Sequence, residues 1–182
     1  MDVSWTAGGL TVTRKALDIV EQDALRGYAA DEEACGYLRG PASREGILLC
    51  DEAVPMTNVA NKLHAIDPVQ YFRTARTFFS FNEKKFDDAI RASQAAGKPI
   101  KVLYHSHLDA GAYFSPTDAA VMSMGEPPAT EGGAITMGQG PAWPLAFLVT
   151  SIRGGVLDEH RLFVWDGEQK QFVASPFTIV DG

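Results

Sequence analysis

The sequence is poor in cysteine. Its 182 residues contain two, Cys35 and Cys50, which lie 15 positions apart. Two cysteines are too few for a disulfide framework, and their separation excludes a CxxC-type zinc knuckle. Free thiols are typical of proteins in a reducing compartment. The cysteine count therefore favours a domain held together by an ordinary hydrophobic core.

An excess of basic residues and long apolar runs are also lacking. The 16 Lys and Arg residues are outnumbered by 23 Asp and Glu, which gives a formal net charge of −7. A general nucleic-acid binder needs a basic face to replace phosphate counterions, so this charge argues against one. The longest apolar run, at 144–149, is far shorter than the ~20 residues that span a bilayer. Because residues 1–5 show no signal-peptide pattern, we expect a cytoplasmic protein with no membrane partner.

The remaining composition is that of a single globular domain over residues 1–182, with 46% hydrophobic and 21% charged residues. Its apolar periodicities predict a mixed α/β fold with strands at both ends of the chain. The predicted elements are a strand at 10–13, a helix at 14–28 capped by Thr13, a hairpin of 34–38 with 46–54, helices at 67–79 and from Ser80 to 96, a strand at 100–104, a helix at 116–124 and strands at 145–152, 160–166 and 171–180.

Two of these predictions rest on specific local signals. Asp67 and Pro68 predict a helix start, and a capping box of Ser80 with Glu83 predicts the start of the next helix. Residues 125–143 contain five glycines and three prolines without periodicity. Such a stretch is either a functional loop over a site or a plain surface or disordered loop. The sequence leaves that choice open.

Only four histidines are present, and two of them, His105 and His107, end the predicted strand at 100–104. Residues i and i+2 of a strand project from the same face, so both imidazoles can reach one ion. Asp118, in the first turn of the following helix, can be a third ligand. Three protein ligands leave a fourth position for water, as in catalytic zinc sites. Ser115 and Asp118 also fit a purely structural helix start, and the two interpretations are compatible.

The full spacing, His105-x-His107-x7-Ser115-x2-Asp118, resembles the JAMM signature of zinc metalloproteases in the JAB1/MPN/Mov34 superfamily. The E-x-C-G-x-L context of that family is matched by residues 33–38, which begin with Glu33. The resemblance extends over about residues 10–165 and favours the prokaryotic stand-alone branch. It implies an MPN/JAB domain, which is a curved mixed β-sheet flanked by helices and similar to the cytidine deaminase fold.

The resemblance also implies a role for each motif residue. His105, His107 and Asp118 would bind one Zn²⁺ per chain. Glu33 would act as the general base on the zinc-bound water, and Ser115 would donate a hydrogen bond to the oxyanion. Without the motif, Glu33 would be one carboxylate of a solvated acidic cluster. Cys35 is expected to be a small core residue rather than a nucleophile.

Members of this family hydrolyse the bond after the C-terminal Gly-Gly of ubiquitin or a ubiquitin-like protein. The resemblance therefore implies a ubiquitin-like or sulfur-carrier protein as substrate, with residues 71–81 and 125–143 as candidate contact surfaces. A non-catalytic MPN scaffold is the main alternative, although all five functional positions are filled. A nucleobase deaminase would need H-x-E and P-C-x-x-C, and neither is present. The net charge argues against a DNA-repair relative. His64 and His160 are expected to be surface or hydrogen-bonded residues.

Overall fold

The computed structural model describes residues 9–42 and 48–182, which contain nine strands and four helices in mixed order. These elements are β1 Leu10–Thr13, α1 Arg14–Ala29, β2 Cys35–Arg39, β3 Leu48–Cys50, β4 Glu52–Met56, α2 Ala60–Ile66, α3 Glu83–Ala95, β5 Ile100–Leu108, α4 Pro116–Met122, β6 Ala146–Arg153, β7 Val156–Asp166, β8 Gln171–Ser175 and β9 Thr178–Val180.

The strands form two sheets. The larger has the order β4-β2-β5-β6-β7-β8, in which β5 and β6 are parallel and every other pair is antiparallel. The smaller sheet, β3-β1-β9, is parallel throughout. The predicted mixed α/β class is confirmed, whereas the second sheet was not expected. That residues 1–182 form a single domain stays a prediction. Among the described residues, no helix is sufficiently long and apolar to cross a membrane.

Helix α1 closes one face of the large sheet. The Thr13 hydroxyl accepts a hydrogen bond from the Ala16 amide at 3.2 Å, so the predicted cap and helix are confirmed. Leu17 and Val20 are fully buried on the face that packs against the sheet. Burying such side chains contributes roughly 1.5–3 kcal/mol each, which fixes α1 on this side.

The opposite face of the large sheet carries an aromatic cluster. Because side chains alternate along β5, Tyr104 faces α1 whereas Leu103 and His105 face the aromatic side. The cluster includes Phe79 and Phe86, both nearly inaccessible to solvent. The carboxyl end of β5 therefore presents its histidines on the face opposite α1.

The helix predicted over 67–79 is wrong. A different helix, α2, precedes it, and residues 67–82 form turns and extended chain. The Asp67 carboxylate accepts hydrogen bonds from the Val69 and Gln70 amides and so holds a turn there. Further along, the Ala75 amide donates a hydrogen bond to the Asn61 side chain. A backbone group of this segment thus bonds to a distant residue and not to the backbone of a helix.

The next helix begins slightly later than predicted. Asn82, rather than Ser80, caps α3, because its side chain accepts the Lys85 amide at 2.9 Å. The Ser80 amide instead donates a hydrogen bond to the side chain of Asn58, which follows β4. This contact holds the segment next to the end of that strand. The predicted capping box of Ser80 with Glu83 is therefore wrong, although the helix itself is confirmed.

The predicted hairpin of 34–38 with 46–54 is divided between the two sheets. Strand β2 pairs antiparallel with β4, with Tyr37 opposite Val54, whereas β3 pairs in parallel with β1. Residues 46–47 of the prediction lie outside the described residues. The predicted last strand, 171–180, is likewise interrupted at Pro176, and β9 crosses to the small sheet. A proline has no amide hydrogen for a sheet ladder, which is consistent with the break.

Candidate metal centre

Two histidines and an aspartate converge at the carboxyl end of β5. The His105 Nε2 atom lies 3.2 Å from His107 Nε2 and 3.3 Å from Asp118 Oδ2, and the His107–Asp118 separation is 3.7 Å. All three side chains are buried, His105 to 1% exposure. Among the described residues they form a group that could hold a metal ion.

The dimensions of this triangle fit a zinc ion. Ligands at 2.0–2.1 Å in a tetrahedron are separated by about 3.4 Å, close to the three observed separations. One point lies about 2.0 Å from all three atoms, so a single ion can contact them together. The donor set of two imidazoles and one carboxylate, without sulfur, is also one that zinc accepts.

Asp118 is placed by the start of α4. The Ser115 hydroxyl accepts the Asp118 amide at 3.0 Å, and the Asp118 carboxylate accepts the Ser115 amide at 3.1 Å, which completes a capping box. The Ser115 hydroxyl also donates to Asp118 Oδ2 at 2.6 Å. The structural and metal-binding interpretations of this motif therefore coexist, because the cap aims the carboxylate at the histidines.

Contacts around the histidines set their orientation and protonation. The His107 Nδ1–H donates to the Gly111 carbonyl at 2.7 Å, a tautomer that leaves Nε2 available to a metal. The Phe79 ring stacks on the His105 ring with centroids 4.4 Å apart. Burial lowers the pKa of His105, and the Asp118 charge acts in the opposite direction. His105 is therefore held in the neutral form that binds metals.

The charge of Asp118 is also favoured. Burial alone would raise the pKa of Asp118, but the adjacent His105 and His107 side chains outweigh it and hold that pKa well below its usual range. The carboxylate is therefore ionised at neutral pH. A neutral His105 imidazole and an anionic Asp118 oxygen are the protonation states that a zinc site requires of these two ligands.

Glu33 lies beside this group. In the antiparallel register of β2 and β5, Cys35 is opposite His105, and one position further along the Ser106 amide donates to the Ala34 carbonyl. Continuing that register places Glu33 opposite His107, on the same face of the sheet. The Glu33 side chain is buried and lines the cavity that contains His107 and Asp118.

The protonation of Glu33 is shifted by its surroundings. Burial raises the pKa of Glu33 well above its usual value, and the Asp118 charge raises it further, whereas Arg73 lowers it. A carboxylate whose pKa is raised towards neutrality is a better proton carrier at physiological pH than an exposed one. The interpretation of Glu33 as part of a solvated acidic cluster does not fit a side chain that is 5% exposed.

The glycine that follows Cys35 is required by close packing. A Cβ atom at Gly36 would lie 2.4 Å from Tyr104 Oη and 2.5 Å from the Val54 carbonyl. The Tyr104 hydroxyl donates to the buried Asp23 carboxylate at 2.8 Å, so it has little freedom to move.

We therefore expect Gly36→Ala to lower the free energy of unfolding by about 1–3 kcal/mol, as overpacking does in other cores. Urea denaturation followed by circular dichroism measures this loss. Gly140→Ala is the matched control, because its Cβ would meet nothing within 4 Å. Its effect should stay within about 0.5 kcal/mol. Equal stability of wild type and Gly36→Ala would contradict this explanation of the motif.

The other singled-out residues have structural contacts. Cys35 is buried, and burial raises the pKa of its thiol to about 12, which argues against a thiolate nucleophile. His160 contacts the Thr150 hydroxyl and the Glu21 carboxylate, and His64 Nδ1 contacts the Tyr71 carbonyl. These contacts agree with the hydrogen-bonded roles expected for the two histidines.

A cavity of about 430 Å³ opens over the metal group. Glu33, His107 and Ser115 line its inner side, and residues 131–133 of the glycine-rich loop line the outer side. Part of the 125–143 loop thus contributes to the site. The cavity also contains Arg73, which the sequence reasoning missed. Its position in an assumed helix gave no signal that it faces the histidines.

Residues 15–153 match the family model described as prokaryotic homologs of the JAB domain. This match covers most of the chain, so the chain belongs to the JAB-domain family, and the MPN/JAB fold expected from the motif is confirmed. None of the curated proteins gives a significant sequence match.

Two solved structures of low sequence identity share the fold. The solution structure of a Desulfitobacterium hafniense protein aligns with a TM-score of 0.62 at 15% identity, covering 95% of this chain and 94% of that one. A Salinibacter ruber protein aligns with a TM-score of 0.53 at 20% identity, covering 94% of this chain and 92% of that one. A JAB1/MPN domain protein from Archaeoglobus fulgidus aligns with a TM-score of 0.48 at 11% identity, covering 94% of this chain and 99% of that one. The first two likenesses show a shared fold.

Proposed function

We propose that this protein is a zinc-dependent peptidase or isopeptidase. The observation that carries the proposal is the buried group of His105, His107 and Asp118, whose atoms fit one zinc ion, with Glu33 in the same cavity. Three protein ligands leave one coordination position for water. Membership of the JAB-domain family supports the proposal, because the motif residues resemble the JAMM signature of the zinc metalloproteases in that superfamily.

When bound, zinc supplies Lewis acidity, which lowers the pKa of a water and polarises a carbonyl. The protein supplies the proton transfers. Glu33 takes one proton from the attacking water as its oxygen joins the carbonyl carbon, and then gives that proton to the departing amine as the C–N bond breaks. Its raised pKa suits both halves of this cycle.

Ser115 supplies a hydroxyl beside the ligand group. Its place in the cavity supports the proposed role as a donor to the oxyanion, which requires its hydroxyl hydrogen to turn away from Asp118 Oδ2. We expect Ser115→Ala to lower kcat by about 10²–10³, as loss of an oxyanion donor does elsewhere. Ser115→Ala also loses the N-cap of α4, which should lower the free energy of unfolding by about 1 kcal/mol.

Ser115→Thr is the matched control, because it keeps the hydroxyl. Steady-state kinetics together with zinc titration separate the two roles. If Ser115→Ala loses zinc affinity in proportion to activity, Ser115 only positions Asp118 and the oxyanion role is wrong.

The proposed substrate is a ubiquitin-like or sulfur-carrier protein cut after its C-terminal Gly-Gly. Glycines suit a narrow approach to a buried site, since they have no side chain to clash. The walls of the cavity include Ala110 and Gly132, and a neighbouring apolar pocket of about 260 Å³ is lined by Tyr71 and Phe78. These surfaces include parts of the two segments that the sequence analysis names as contacts. The proposed setting is the cytoplasm, where two free buried thiols stay reduced.

Incubation of the zinc-loaded protein with carriers that bear C-terminal adducts tests this proposal. Intact-mass spectrometry should show each cleaved carrier ending at Gly-Gly. Adducts linked through an α-amine and through a lysine side chain distinguish peptidase from isopeptidase activity. A protein that binds one zinc yet cleaves neither adduct would instead favour a scaffold.

A further inference from the structure

A partly buried cation lines the cavity of the metal centre. Arg73 lines the same cavity as Glu33 and Asp118, and its side chain is only 19% exposed. Its Nε atom is buried and has no hydrogen-bond partner within the described part of the chain. An unpaired buried donor is costly, and more so on a charged group. The neighbours of Arg73 thus satisfy its guanidinium only in part.

The charged residues near Arg73 pair with it only weakly. Among residues 9–42 and 48–182, its ion pair is with Glu131, whose carboxylate is 3.6 Å from Nη2 and whose side chain is 80% exposed. An exposed pair at that distance contributes little. No ion pair joins Arg73 to Glu33 or Asp118 in this part of the chain, although all three line one cavity.

The second arginine of the cavity is different. Arg76 forms ion pairs with Asp31 and Asp109 at the protein surface. Its charge is therefore already compensated, and its side chain is 47% exposed. Arg73 and Arg76 thus form a natural pair for comparison, since both line the cavity but only Arg73 keeps an unpaired buried donor.

The Glu131 contact shows the chemistry that Arg73 accepts. A carboxylate reaches the guanidinium from the cavity side, at the outer loop. A guanidinium presents a planar fork of donors that matches a carboxylate better than any neutral group. A substrate carboxylate that enters the cavity next to the scissile bond can therefore take the place of Glu131 at the Nη atoms.

We propose that Arg73 binds the α-carboxylate of a single amino acid that leaves from the carrier's C-terminus. This proposal rests on the proposed function and makes it narrower. In such a leaving group the carboxylate is one carbon from the departing amine, so it stays within the cavity. A lysine side-chain amine departs on a four-carbon stem and brings no carboxylate there. Arg73 thus makes the enzyme selective for carriers extended by one amino acid over isopeptide-linked proteins.

The reaction balances without any further reactant. The water oxygen joins the terminal glycine carbonyl carbon, and the bond from that carbon to the amino-acid nitrogen breaks. One water proton reaches the nitrogen through Glu33, and the other leaves the new carboxylic acid to complete the ammonium group. The products are the carrier with a Gly-Gly carboxylate and the free amino acid. Arg73 holds the leaving carboxylate and transfers no proton.

The test uses a prokaryotic sulfur-carrier protein ending in Gly-Gly-Ala, prepared as the free acid and as the α-carboxamide. For the zinc-loaded wild type, kcat/KM should favour the free acid by roughly tenfold to a hundredfold, the range expected for a hydrogen bond to a charged group. In Arg73→Gln the ratio should fall close to one. Arg76→Gln, the matched control, should keep the wild-type ratio.

A binding measurement separates recognition from chemistry. Zinc-loaded Glu33→Gln protein should bind the free acid more tightly than the carboxamide in calorimetry, and adding Arg73→Gln should abolish that difference. Thermal unfolding checks that each variant is folded. A wild-type ratio near one, or an equal loss on both substrates in Arg73→Gln, would overturn the proposal. If neither substrate is cleaved, the proposed hydrolase is wrong, and the binding difference alone decides the role of Arg73.

Discussion

Glu33→Gln protein is expected to keep one zinc ion per chain and to lose a factor of about 10²–10⁴ in kcat/KM on carrier adducts. Glutamine has nearly the same shape as glutamate but cannot take a proton from water. Because Glu33 is not part of the ligand triangle of His105, His107 and Asp118, the metal should stay in place. Parallel measurements of zinc content and of cleavage rates by mass spectrometry test both parts of this expectation.

Glu32→Gln is the matched control for this experiment. Glu32 is the adjacent carboxylate in sequence, but it pairs with Arg26 at 2.8 Å at the surface. Its replacement should leave the cleavage rate close to that of the wild type. Equal activity of Glu33→Gln and wild type would remove Glu33 from the mechanism. A comparable loss in both variants would show that the acidic cluster, rather than Glu33, matters.

Replacing His107 should abolish zinc binding at neutral pH. We expect His107→Ala to lower zinc affinity by more than about a hundredfold, because loss of a direct ligand costs more than loss of a supporting contact. Zinc should raise the melting temperature of the wild type by mass action and leave the variant unchanged. Metal analysis after dialysis against a competing chelator, with a thermal scan, measures both effects.

His160→Ala provides a matched control among the four histidines. Its ring contacts Thr150 and Glu21 on the α1 face of the sheet, whereas His105 and His107 lie on the opposite face two strands away, so the variant should lose some stability but keep its zinc. Zinc retained by His107→Ala, or lost from His160→Ala with the fold intact, would contradict the assigned site.

The ligand triangle was predictable from sequence because local rules determine it. Alternation along a strand places His105 and His107 on one face, and helix capping orients Asp118 through Ser115. These two local features involve residues within a few positions of one another, whereas the segment between β5 and α4 brings Asp118 to the histidines. Glu33 is brought next to the histidines by the pairing of β2 with β5, which sequence spacing alone does not determine. The prediction for Glu33 therefore depended on the resemblance to the family motif.

The segment 67–82 could not be predicted from periodicity. Apolar residues recur there at helical spacing, but they do not share one helix face: Phe78 lines an apolar pocket, whereas Phe79 stacks on His105. The backbone is held by long-range contacts, such as that of the Glu33 amide to the Ala75 carbonyl at 2.7 Å. Tertiary contacts therefore override local propensity, and the placement of Arg73 follows from them.

Zinc K-edge X-ray absorption on the zinc-loaded protein tests the central claim most directly. The account predicts one zinc per chain with nitrogen and oxygen neighbours at about 2.0–2.1 Å, two of them imidazoles, and no sulfur. A sulfur neighbour at about 2.3 Å would place the ion at a cysteine. That result, or a spectrum without histidine scattering, would contradict a zinc centre formed by His105, His107 and Asp118.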